Sequence, residues 1–247
     1  MGEYAEYGQL VGRYILFAAL ASFAWAAPVQ ACRLALVLAI DVSSSVDAGE
    51  DALQRNGLAS ALLDPDVQDA FLVSDDPVAL HIFEWSGRYN QQTILDWTVV
   101  ESPSDLFRAA ARVAESERAT DKFPTAIGYA LGHAATMLQA APACLAQTVD
   151  VSGDGLNNEG FGPRRAYLAF PFEGVVVNGL VIRVAADGDP TALLSFYADE
   201  VARGSGAFVE IADGYQDFAR TMRRKLLREL TSQMIGRLAT PSAGADG

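Results

Sequence analysis

Basic residues are scarce in this 247-residue chain: 18 Lys and Arg stand against 31 Asp and Glu, a formal net charge of −13. A surface so short of positive charge cannot neutralise a phosphate backbone, which argues against nucleic acid as a partner. Histidine is scarcer still, with only His81 and His133. His81 alternates with apolar neighbours in a strand-like run, and His133 lies in an apolar helical stretch. Neither has a motif partner, so both read as structural, and the usual base of a Ser-His-Asp hydrolase is missing. Cysteine is limited to Cys32 and Cys144, each just before an apolar run. Repeats, low-complexity tracts and internal linkers are absent. Beyond the first 31 residues no apolar stretch has the length needed to span a bilayer.

What is present is enough apolar material, 51% of the chain, for one sizeable core. Residues 1–31 read as an export signal: Arg13 precedes an apolar run from Tyr14 to Ala27, and small residues follow. Cleavage is expected after Ala26 or after Ala31. A lipidated Cys32 is a competing reading, although Gln30 fits such a site badly. The expected organisation is a leader over 1–31, one domain over 32–238 and a small, polar, disordered tail over 239–247.

Between the ends, strand-like runs alternate with helical stretches, the pattern of a largely parallel sheet covered on both faces. Leu34 to Ile40 is apolar throughout, as a strand buried on both faces should be. A helix is expected from Ala48 to Leu63, ended by Asp64-Pro65. Val78–Trp85 and Gln92–Val100 read as a hairpin. Helices follow at Ser104–Arg118 and at Thr125–Ala140, the latter capped by Thr125. Further strands are expected before Asp154, at Gly179–Arg183 and at Ala207–Ile211, with a helix near Thr191–Ala202. The closing helix, Tyr215 to Leu238, interleaves apolar residues with Arg220, Arg223, Arg224, Lys225, Arg228 and Arg237, and reads as amphipathic with a solvated basic face.

The chemistry sits where strands end. Asp41-Val42-Ser43-Ser44-Ser45 places a carboxylate and hydroxyls at the carboxyl edge of the first strand, where ligands of open α/β sheets bind. Ser152-Gly153-Asp154-Gly155 ends a second apolar strand, and Thr125 enters a helix on the same side. Two carboxylates and three hydroxyls are hard oxygen donors, suited to Mg²⁺ or Mn²⁺. Water and an outside ligand would complete so weakly charged a shell. Asp150, at strand period from Ser152 and Asp154, sits deeper and must be paired; a supporting or structural role is expected for it and for Ser152.

Asp41-Val-Ser-Ser-Ser45, Thr125-Ala-Ile-Gly128 and Ser152-Gly-Asp154-Gly, in this order, resemble the metal-ion-dependent adhesion site of von Willebrand factor A and integrin inserted domains. The wording around Glu84-Trp85-Ser86-Gly87 and Val149-Asp-Val-Ser-Gly-Asp154 is similar to a family of exported bacterial proteins assigned to that fold. The resemblance implies a doubly wound, mostly parallel six-stranded α/β sheet with a short antiparallel third strand. Asp41, Ser43, Ser45, Thr125 and Asp154 would then hold the metal, and an acidic side chain of a partner protein would fill its open position. The hairpin would bring Trp85, Arg88 and Tyr89 to the same edge as partner contacts, with a half-buried place in the core as the equal alternative for Trp85.

In that arrangement the strands ending at Asp41 and Asp154 are parallel neighbours. Cys32 precedes Asp41 by nine residues and Cys144 precedes Asp154 by ten, so the resemblance implies a Cys32–Cys144 disulfide at the opposite edge. The function expected is a periplasmic or secreted, non-enzymatic binding module, with no membrane contact once the signal is removed. Two alternatives stand beside it: a metal-dependent hydrolase or phosphotransferase using Asp41 and Asp154, and a structural envelope protein.

Overall fold

A computed structural model of the chain describes residues 32–184 and 190–238, residue 190 and residues 232–238 by backbone alone. The expected leader, the tail and the Arg237 side chain lie outside the described residues. Six strands, β1 (Cys32–Asp41), β2 (Val78–Ser86), β3 (Asn90–Val100), β4 (Cys144–Gly153), β5 (Val175–Ile182) and β6 (Val209–Ala212), form one sheet in the order β3-β2-β1-β4-β5-β6. Only the β2–β3 pair is antiparallel. β3 is not short, however: at 11 residues it is longer than any other strand, because the hairpin lets it follow β2 along its whole length.

The apolar run of β1 is buried at every residue, since both faces of the sheet are covered. Leu34, Leu36, Leu38 and Ile40 face helices α1 (Ala48–Leu63), α2 (Pro65–Leu72), α3 (Pro103–Ala114) and α7 (Phe218–Leu238). Ala35, Val37 and Ala39 face α4 (Ile127–Gln139), α5 (Pro163–Ala169) and α6 (Pro190–Phe196), which runs on as a π-helical turn, Tyr197–Val201. The chain leaves β1 toward β2 on one side and returns to β4 on the other. The β1/β4 crevice at the carboxyl edge is therefore the topological switch point, where such sheets bind ligands.

Several local expectations change. Asp64-Pro65 ends α1 but also starts α2: the Asp64 carboxylate accepts from the N–H of Asp66 (3.1 Å), and Pro65 takes the first helical position, where its missing N–H costs nothing. α3 stops at Ala114, which frees Arg118 for a loop role described below. Thr125 does not cap α4, which begins two residues later behind Ala126. The basic face of α7 is not simply solvated: Arg220 pairs with Asp217 (2.6 Å), Arg223 with Asp64 (2.7 Å) and Asp66, and Arg224 and Arg228 with Glu210 (2.8 and 3.2 Å). Lys225 is fully buried. Among the described residues no helix is long and apolar enough to cross a membrane.

Cys32 and Cys144 pair directly across the β1–β4 ladder, with a Cα separation of 4.4 Å, and form the disulfide. His81, fully buried on β2, is held down to about 4, first by burial and also by His133, with Asp96 opposing. A histidine charged in the unfolded chain but neutral in the folded one withdraws stability as pH falls from about 6.5 to about 4. His81→Gln should flatten the acid limb of urea-unfolding stability in that window by on the order of 2 kcal/mol.

Candidate metal centre

The β1–α1 loop is built as a rigid cradle. Asp41 Oδ1 accepts from the Ser43 N–H at 2.7 Å, which turns the chain sharply at the strand end. The Arg118 guanidinium donates to the carbonyls of Val46 (2.7 Å), Val42 (2.8 Å) and Ser43 (2.7 Å), and the Gln54 side-chain amide donates to the Asp41 carbonyl at 3.0 Å. At the start of α1, Asp47 and Glu50 form a reciprocal capping box.

A line of hydroxyls crosses this cradle. Thr125 Oγ1 donates to Ser43 Oγ at 3.2 Å, Ser43 Oγ lies 3.1 Å from Ser45 Oγ, and Ser45 Oγ donates to Asp154 Oδ1 at 2.8 Å. Each hydroxyl has one proton, so with Ser45 committed to Asp154 the direction runs from Thr125 to the carboxylate. Asp154 Oδ2 accepts from the Tyr215 phenol at 2.8 Å. Thr125 is set by the loop that follows β4: its N–H donates to Asn158 Oδ1 (2.9 Å), while the N–H groups of Asn158 and Glu159 donate back to its carbonyl. All five residues expected from sequence thus converge on one spot. Asp41, Ser43, Thr125 and Asp154 are buried, and Ser45 stands at the exposed mouth.

The site holds unbalanced negative charge. Burial, and then the charge of Asp154, push the Asp41 carboxyl up to about 8, against the Ser43 N–H and Arg118. Asp41 Oδ2 is buried without a hydrogen-bond partner, and so is the Tyr197 phenol oxygen. A Cβ added at Gly153 would come within 2.6 Å of that phenol oxygen and 2.8 Å of Asp41 Oδ2, so only glycine leaves room here. Gly153→Ala should therefore destabilise the protein by about 1–3 kcal/mol in urea unfolding, the range for overpacking a filled interior.

These features fit a divalent cation: an unpartnered buried carboxylate oxygen, a second carboxylate beside it, and neutral oxygen donors around them. Among the described residues no cluster of three or more His, Cys, Asp or Glu side chains could hold a metal. Any metal here must therefore lean on hydroxyls.

Other expected residues fall differently. Trp85 is fully buried in the core against α4 and is unavailable to a partner, because the β2 residue before the turn faces inward. Arg88 pairs with Glu159 at 3.1 Å at the surface, and Tyr89, 86% exposed, lies edge-on to Tyr129. Asp150 pairs with Lys225 of α7 at 3.0 Å, and the Ser152 hydroxyl donates to the Ala39 carbonyl at 3.3 Å. Arg118, Tyr197 and Tyr215 carry no local signal, since they reach the site from segments distant in sequence, and Asn158, just past Asp154, belongs to no motif.

Comparison with known proteins places this architecture. Proximal thread matrix protein 1 (PTMP1) from the mussel byssus, with a zinc-occupied MIDAS motif, superposes with a TM-score of 0.58 and 17% identity over 81% of this chain and 48% of that one. The von Willebrand factor type A protein from Catenulispora acidiphila gives 0.55 and 15%, covering 81% and 43%. An aerotolerance-related membrane protein from Bacteroides fragilis gives 0.53 and 19%, covering 78% and 98%. The chain thus spans about half the length of PTMP1. No curated protein matches it in sequence. The strand order, the covering helices and these likenesses define a von Willebrand factor A fold. Within it, the chain belongs to the family described as "Protein of unknown function (DUF1194)", which matches residues 31–234.

Proposed function

We propose that this protein is an exported binding module that grips an acidic side chain of a partner protein through a divalent cation, Mg²⁺ or Mn²⁺. Asp41, Ser43, Ser45, Thr125 and Asp154 would hold the ion, which would supply a Lewis-acidic position open to the partner's carboxylate. The observation carrying this reading is the buried, unpartnered Asp41 Oδ2 beside a second carboxylate and a line of three hydroxyls. PTMP1, on the same fold, takes zinc at its own MIDAS motif. Arg88 and Tyr89, exposed on the β2–β3 turn, would contribute to the partner face. Binding is favoured over turnover because the donor set contains no nucleophile paired with a base. Export is supported by the disulfide, which forms and persists in oxidising compartments.

Immobilised protein should retain its partner from an envelope extract in Mg²⁺ and release it to a chelator, and Asp154→Ala should retain nothing. A partner held equally by the variant or in chelator would contradict this reading.

A further inference from the structure

A second group of ionisable side chains lies under α7, and the metal reading makes no use of it. Asp150 of β4 and Asn178 of β5 are ladder neighbours on the sheet face that α7 covers. Facing them on α7 are Lys225 and Glu229. Asp150 is 1% exposed, Asn178 2%, Lys225 0% and Glu229 2%. Lys225 Nζ lies 3.0 Å from Asp150 Oδ1 and 2.7 Å from Glu229 Oε1. The Asn178 amide donates to Glu229 Oε1 at 2.9 Å and accepts the Phe208 N–H at 3.0 Å, while the Phe208 ring centre sits 4.7 Å from Nζ.

Two features set this cluster apart from an ordinary buried ion pair. First, the approach of Nζ to Asp150 is not along a hydrogen-bonding direction: neither Asp150 oxygen makes a hydrogen bond of ordinary geometry despite the 3.0 Å separation. The nitrogen thus touches the carboxyl group through Oδ1, the atom bonded to the Cγ that it would attack. Second, water is excluded around all four side chains: burial disfavours the Lys225 charge, but the Asp150 and Glu229 carboxylates outweigh it and hold the ammonium above its ordinary range, so the opening proton transfer has to be drawn by the acid. Burial pushes the Asp150 carboxyl up to about 7, with Lys225 opposing and Glu229 adding to the shift.

We propose that Lys225 and Asp150 condense to an intramolecular amide that ties α7 covalently to β4, with Glu229 moving the protons. One proton passes from the Lys225 ammonium to the Asp150 carboxylate, leaving a neutral amine beside a neutral acid. Nζ then attacks Cγ, and Glu229, in contact with Nζ, takes a second proton from the nitrogen. Glu229 hands that proton to a hydroxyl on Cγ, the C–O bond breaks, and water leaves. The products are one amide N–H, one water molecule and the Glu229 carboxylate restored, with no change of oxidation state. Nothing in this step depends on the metal.

Mass spectrometry of the purified full chain, reduced, alkylated and digested, is the test. The expected result is a branched peptide joining the Asp150 and Lys225 segments, lighter than its two parts by one water molecule. Glu229→Gln, whose amide keeps the shape and still accepts from Nζ, should remain folded by circular dichroism and carry the two segments unjoined. Parent protein in which both segments run at their sequence masses would overturn the proposal, whatever the variant does. A water lost between other residues would overturn it too, and full joining in Glu229→Gln would overturn the role given to Glu229.

Discussion

Breaking the Cys32–Cys144 bond should lower the unfolding midpoint by on the order of 10 °C and the stability by about 4–5 kcal/mol. The magnitude follows from the loop that the bond closes. The two cysteines are 112 residues apart in sequence, and a cross-link of that span removes much of the freedom of the unfolded chain. Native geometry asks for little adjustment, because the two residues are already ladder partners at the edge opposite the metal candidates. Parallel strands are the slow, long-range contacts of a fold, and a covalent tie at their first residues also fixes the register that brings Asp41 and Asp154 together. The check is a thermal scan of oxidised protein against the Cys32→Ser, Cys144→Ser double variant. Coincident transitions, or two freely alkylated thiols in unreduced protein, would contradict the expectation.

Much of this fold was legible in the sequence because β1 and the motifs at its end are local signals. Seven consecutive apolar residues followed by Asp41, Ser43 and Ser45 specify a buried parallel strand and what stands at its tip. The second strand tip, at Asp154, follows the same logic, and the disulfide followed once the resemblance supplied the strand order. What escaped depends on contacts between distant segments. Nothing near Arg118 in sequence announces that it will hold three carbonyls of the β1–α1 loop, and nothing near Tyr215 announces a bond to Asp154. Trp85 stays open between partner face and core in the sequence because alternation along a strand gives two faces without saying which is covered; here both are, and Trp85 belongs to the core. Lys225 looked like one more base on a polar helix face. Its burial is set by Asp150 and Glu229, one on a strand far away in sequence and the other one turn along the same helix.

The second large effect concerns the metal candidates themselves. With Asp41 Oδ2 unpartnered and Asp154 held by Ser45 and Tyr215, loss of either carboxylate removes half of the anionic charge a cation would meet. Asp41→Ala and Asp154→Ala should each weaken binding by at least about tenfold, since a charged ligand contributes well over 1.4 kcal/mol. Because Asp41 also holds the Ser43 N–H and Asp154 the Tyr215 phenol, circular dichroism of each variant separates loss of the ligand from loss of the fold.

Titration of the parent protein with Mn²⁺ and Mg²⁺ by calorimetry measures this directly, with terbium luminescence as an independent readout excited through Tyr215 beside Asp154. One site of roughly micromolar to millimolar affinity is expected. Sensitised terbium emission should appear and be competed away by Mg²⁺, with both signals lost in Asp41→Ala and in Asp154→Ala. Equal binding by parent and variants, or no binding by the parent at millimolar metal, would contradict this expectation.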